Sequence, residues 1–257
     1  MLFLEHNNKA WLSLYYDRPN DMNRIYIILL FSLWTGVCSS LKGQTQKIKN
    51  LPYTDFQKVH FGFLLGVHTQ DMAFQNSGFV TETGESWYAE QHSFSPGFTV
   101  GLLADWALLN NINLRITPTF QFGNRFITFR EQTSKEEVRQ DIKGNIISIP
   151  MHVKYSASRV NNYRPYLMAG ISPGFDLSKR KETPLVLNRF DFAIELGLGC
   201  DIYLPFFKLI PELKFSLGLV DLIKHERPDL KDPTLFKFTQ GIDRGTSRSV
   251  SLLFYFE

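Results

Sequence analysis

Two cysteines in 257 residues, Cys38 and Cys200, are too few for a disulfide-stapled scaffold or a cysteine-rich zinc site. Charge of one sign is scarce too. Lys and Arg number 28 against 25 Asp and Glu, and a formal net charge of +3 argues against a polyanion-binding protein and hence a nucleic-acid partner. No apolar run reaches the roughly 18 residues that a membrane helix needs, and downstream of Gln44 no segment has a helical period. HExxH, GxSxG, P-loop and dinucleotide fingerprints are missing, and His60, His68, His92, His152 and His225 lack metal-ligand spacing. No catalytic residue, cofactor or metal is therefore expected, although a rim hydrolase or acyltransferase stays open because a catalytic triad is set by geometry and not by order. An apolar fraction of 44% excludes disorder. What is abundant is aromatic: 23 Phe against 10 Tyr and 4 Trp, a chain that buries its rings or gives them to lipid.

The longest apolar run, Ile25 to Cys38, follows Met22-Asn23-Arg24 and precedes Ser39-Ser40-Leu41-Lys42-Gly43. A short cationic start, an apolar core and small residues before Gln44 read as a secretory signal peptide over 22–43. Residues 1–21 carry Glu5, Asp17 and Asp21 beside Lys9 and Arg18, which does not suit a leader, so the start at Met1 reads as mis-assigned. Cys38 opens a lipoprotein alternative, weakened by Val37 where processing needs a small residue. The mature chain then divides into a periplasmic segment over 44–59 and a strand-rich domain over 60–257.

That domain alternates at period two. The clearest run is Phe190 to Leu204, where Phe190, Phe192, Ile194, Leu196, Leu198, Cys200, Ile202 and Leu204 share one face and Asp191, Ala193, Glu195, Gly197, Gly199 and Asp201 the other. The same signature recurs at His60–His68, Ile112–Phe122, Ile147–Tyr155 and Glu212–Leu219, with weaker copies at Phe98–Ala104, Tyr163–Phe175 and Val250–Phe256. These make eight strands, several of bilayer-spanning length. Strands in lipid must close on themselves, because an open edge leaves backbone groups unpaired.

Connection lengths alternate. Long ones lie at Thr69–Ser95, Arg130–Lys143, Ser178–Arg189 and Ile223–Arg248, short ones at Asp105–Asn111, Ser158–Asn161 and Pro205–Phe206. The expectation is an all-β, eight-stranded antiparallel up-and-down transmembrane β-barrel in contact with outer-membrane lipid. Long loops then lie at the extracellular rim, and short turns and both termini at the periplasmic one. A soluble lipocalin-type barrel has the same period with its apolar set inward. Gly-rich non-apolar faces, and Trp106, Tyr155, Tyr163, Tyr203 and Tyr255 near strand ends as an interface girdle, favour lipid outside.

Arg115, His152, Lys154, Arg164, Asp176, Asp191, Glu195, Asp201, Glu212 and Lys214 would then point into the lumen. Signs so nearly balanced read as a salt-bridged plug that stiffens the barrel; the competing reading is an ion path or a rim site. In the longest loop, Phe74, Phe79, Trp87, Tyr88 and Phe94 read as either a folded loop or a partner-binding surface. The mixed-charge segments Ser134–Lys143 and His225–Pro233 read as solvated loop.

The stretch Lys49-Asn-Leu-Pro-Tyr-Thr-Asp-Phe-Gln-Lys-Val-His-Phe-Gly-Phe, continuing to Phe74, resembles the start of the mature PorT family of Bacteroidetes outer-membrane barrels. There an Asn-Leu-Pro-x-x-Asp segment leads into His-Phe-Gly-Phe and a first strand. The resemblance implies an outer-membrane location, a part in type IX protein secretion or gliding, other secretion-system proteins as partners, and no catalytic residue.

Overall fold

A computed structural model of the chain describes residues 48–81, 84–90, 95–132, 136–178, 185–225 and 240–257. The expected leader and upstream extension fall outside the described residues.

Among the described residues, twelve strands follow a 3-10 turn at Thr54–Phe56: β1 Val59–Thr69, β2 Asp71–Asn76, β3 Trp87–Glu90, β4 Pro96–Ala107, β5 Ile112–Ile116, β6 Thr119–Glu131, β7 Glu137–Ser148, β8 Met151–Ser156, β9 Tyr163–Asp176, β10 Phe190–Tyr203, β11 Lys208–Gly218 and β12 Ile242–Phe256. They make the eight expected walls, because four walls are interrupted. β5 and β6 are parted at Thr117-Pro118, and β7 and β8 at Ile149-Pro150, since proline brings no N–H to a ladder. The ladder bridges both breaks: Leu102 N donates to Pro118 O and Thr117 N to Pro150 O. β1 and β2 join at Gln70, and β3 precedes β4.

Each wall pairs antiparallel with its sequence neighbours, and β12 pairs with β1, so the sheet closes. Following the register once round from Lys154 through Met168, Gly197, Lys214, Ser251, His68, Gly97 and Gly123 returns to the starting wall at Gly144, ten residues away. With strands about 4.8 Å apart and rising about 3.3 Å per residue, that stagger tilts them by about 40° at a backbone radius of about 8 Å. Inward side chains fill so narrow a tube.

At this tilt a 25 Å apolar band needs about ten residues. β12 has 15, and β9 and β10 have 14 each, so the walls outrun the band. Within it the apolar parity points out: Phe61 is 72% exposed and Leu102 64%. That orientation fits hydrocarbon and not a soluble barrel with its apolar set inside. Past the band the parity inverts. On β7 the outward residues change from Ile147 to Asn145, Lys143, Asp141, Arg139 and Glu137. On β6 the inward residues change from Thr119, Gln121 and Arg125 to Ile127 and Phe129. This protruding crown has its own apolar core of Met72, Trp87, Ile127, Phe129, Leu185, Leu187, Leu222, Ile223 and Ile242. The connection expected at 130–143 is therefore largely strand, and the one expected at 69–95 contains β2 and β3.

At the opposite end the turns are short, and Asn161 takes the left-handed φ of 54° that a tight turn uses. Residues 48–58 are tied to this end as a strap. Asp55 accepts from Arg159 and from Tyr203 Oη, both at 2.9 Å, Asn50 N donates to Asn162 Oδ1, and Lys58 O accepts from Ala107 N.

Candidate functional site

Carboxylates and cations of β4, β5, β8, β10 and β11 pair directly in the lumen. Arg115 on β5 is fully buried, and its donors are shared among four bonds: Nε and one terminal nitrogen to Asp105 Oδ2 at 3.1 and 2.9 Å, the other to Glu212 Oε2 at 2.8 Å and to Tyr166 Oη at 3.2 Å. Glu212 on β11 also accepts from Tyr166 at 2.6 Å and Tyr255 at 2.7 Å. Both rings lie about 5 Å from the guanidinium, which is cation–π distance. Asn113 Nδ2 donates to Asp105 Oδ1 at 2.6 Å. Lys154 on β8 reaches both oxygens of Asp201 on β10, at 2.9 and 2.8 Å.

Local sequence makes these contacts possible. Arg115, His152 and Lys154 occupy the inward parity of neighbouring walls, and the register sets Arg115 beside His152 and Asn113 beside Lys154. Gly199 and Gly197 leave room for Tyr166 and Met168, since an added Cβ would come within 2.5 Å of each side chain. Leu64, Leu103, Met168, Ile210 and Leu253 pack against the two tyrosines and fill the space that ions leave.

Nearer the crown, His152 Nε2 lies 2.7 Å and Lys214 Nζ 2.9 Å from Glu195 Oε2. Among the described residues His152 Nδ1 has no hydrogen-bond partner. Higher still, Asp191 on β10 accepts from Ser247 Oγ at 2.6 Å, and Asp176 receives the backbone N–H of Ser178. Arg164 sits at the turn end, where it donates to the carbonyls of Ala157 and Asn110 and lines a cavity of about 240 Å³ under the strap.

Of the ten charged residues named from the sequence, the structure joins Arg115 with Glu212, Lys154 with Asp201, and His152 and Lys214 with Glu195; Arg164, Asp176 and Asp191 lie apart from these groups. Asp105 escaped the sequence reading because it stood in an expected turn, although in the structure it is a buried inward position of β4. Arg125 sits where the parity changes, whereas His68 lies on the polar face of the first alternating run and was absent only from the set of charges expected in the lumen. Tyr203 and Tyr255, expected in an outer girdle, are 2% and 0% exposed and face inward, while Trp106, Tyr155 and Tyr163 do lie outside. Of the loop aromatics, Trp87 is buried in the crown core with Phe74 packed against it, and Tyr88 is half-buried on β3. Phe79 is 40% exposed, and Phe94 lies outside the described residues.

Chemically, the Arg115 and Glu195 groups hold ions in direct contact, sealed from solvent. Such an arrangement fixes strands to one another, because removing one partner strands a charge in a low-dielectric interior. Among the described residues no three His, Cys, Asp or Glu side chains come together as metal ligands.

A family model described as outer membrane protein beta-barrel domain matches residues 43–224. Among solved structures, the chain is similar to the outer membrane protein OprG from Pseudomonas aeruginosa, at 10% identity over 83% of this chain and 96% of that one, with a TM-score of 0.42. It is also similar to Neisserial surface protein A, at 12% identity over 77% of this chain and 98% of that one, with a TM-score of 0.36. No curated protein matches the sequence.

Proposed function

The chain belongs to the outer membrane protein beta-barrel domain family, and from that premise we propose that it is a non-enzymatic accessory component of a type IX protein secretion pathway, with a link to gliding motility. The observation that carries this reading is the PorT-like stretch 49–74, which forms the strap, β1 and the start of the crown. In this reading the short turns and both termini face the periplasm and the crown faces outward. The strap then offers Tyr53 and Phe56, 81% and 83% exposed, to other secretion proteins on the periplasmic side. A filled lumen supports an accessory part over a conduit, since the Arg115 group and the crown core occupy the space that an exported chain would need.

Deleting the gene and comparing the secreted proteome tests the reading. Loss of a defined set of secreted proteins is expected, and unchanged secretion overturns it. A second reading, a small barrel that stiffens the membrane or adheres through its loops, draws on the crown projecting beyond the apolar band. Unchanged secretion with impaired adhesion or envelope integrity would select it.

A further inference from the structure

Arg125 on β6 is 5% exposed; Asp176 and Asp191 are near enough to attract it, yet no carboxylate of the described residues is in direct ion-pair contact with it, and among those residues its Nε has no hydrogen-bond partner. On β10, Asp191 uses only one oxygen; Oδ2 accepts from Ser247 while Oδ1 is buried without a partner. Both residues line a cavity of about 50 Å³ between the Glu195 group and the crown core. The rest of the lining is rich in hydroxyls, among them Ser148, Ser172, Ser216 and Ser249.

A buried guanidinium with no direct ion pair and a buried carboxylate oxygen with no hydrogen bond, lining one cavity, are each costly. A bare anion would satisfy Arg125 but leave Asp191 Oδ1 facing like charge. A bare cation has the converse fault. A molecule with an acid at one end and an ammonium at the other matches both, with serine hydroxyls free to donate or accept along its length. The cavity has room for three or four waters at about 15 Å³ each, which suits a covalent molecule of about five heavy atoms. Arg248, exposed on β12, is also part of the lining.

We propose that this cavity is a binding site for a small zwitterion of amino-acid size, with its carboxylate on Arg125 and its ammonium on Asp191. The probe is radiolabelled glycine, in equilibrium dialysis against the full-length barrel in detergent at constant ionic strength, with acetate and methylammonium as single-charge competitors. Saturable binding of one glycine per barrel is expected, weakened at least about tenfold in Arg125→Gln and in Asp191→Asn, and displaced far better by unlabelled glycine than by either competitor. Ser172→Leu keeps both charges but fills the cavity, and it should abolish binding; heat-modifiable gel mobility verifies that each variant is folded. The proposal is overturned if folded wild type binds no glycine, which would leave water alone in the cavity. It is overturned equally if the charge variants bind like wild type, or if acetate competes as well as glycine.

Discussion

Replacing Arg115 by Met isolates the central ion group of the lumen, because Met keeps most of the length and removes the charge. Arg115 is fully buried and bonds two carboxylates and a tyrosine. The general cost of breaking a buried ion group by losing one member is about 3–5 kcal/mol. Here the lower end applies, because the stranded carboxylates keep other donors. Asp105 retains Asn113 and has Lys154 at 3.8 Å, and Glu212 retains both tyrosine hydroxyls. The expected loss is therefore about 3 kcal/mol, and with a urea slope of about 2 kcal/mol/M the unfolding midpoint in lipid vesicles falls by about 1.5 M. Adding Glu212→Gln to Arg115→Met neutralises the carboxylate left without a paired cation and should restore about 1 kcal/mol, although Glu212→Gln alone is destabilising. A loss below about 1 kcal/mol for the single variant, or a double variant no more stable than Arg115→Met, would refute the idea that these ions hold the barrel by direct pairing.

Three further outcomes follow from the same geometry. Leu196→Arg places a charge on the lipid face of β10 and should cost about 2–4 kcal/mol near mid-bilayer, whereas Thr128→Arg, outward on β6 beyond the band, should change stability by under about 0.5 kcal/mol; reversible unfolding in vesicles compares them. Phe129→Ala removes a ring 1% exposed in the crown core and should cost about 3–5 kcal/mol of crown stability. Limited proteolysis should then cut the crown while the band-spanning strands stay protected. Asp221 lies outside the band; burial raises its pKa, but the backbone N–H groups of Gly245 and Ile223 and the ring of His225 outweigh that and hold it below its ordinary 3.8. A depressed carboxylate stabilises fully above its ordinary pKa and loses that contribution as pH falls, so wild type should lose crown protection in hydrogen exchange below about pH 4, and Asp221→Asn should flatten that dependence.

The eight walls were legible because lipid outside and a crowded interior impose one parity over some ten residues of each strand. Phe190 to Leu204 shows this without interruption. The crown was not legible by the same rule. The strand period continues through Thr69 to Asn76 and through Glu137 to Asn145, but the apolar residues change sides where lipid gives way to water, and a search for one apolar parity reads that change as the end of a strand. Trp87 was for that reason placed on a loop. In the lumen, the charges on clean inward positions, Arg115, Lys154, Glu195 and Glu212, could be found from alternation alone. Their partners at strand ends could not: Asp105 borders a turn, and Tyr255 has an amphipathic side chain that suits an interface as well as a lumen.

The parity inversion on β6 is the most direct test of the architecture. Single cysteines at outward positions 120, 122, 124, 126, 128 and 130 would carry an environment-sensitive fluorophore in vesicles, with brominated lipid as one quencher and aqueous iodide as the other. Quenching by lipid at 120 and 122, giving way to iodide from 124 onward, is the predicted pattern. Lipid quenching sustained to 130, or iodide access at 120, would contradict a barrel whose walls leave the bilayer at that level.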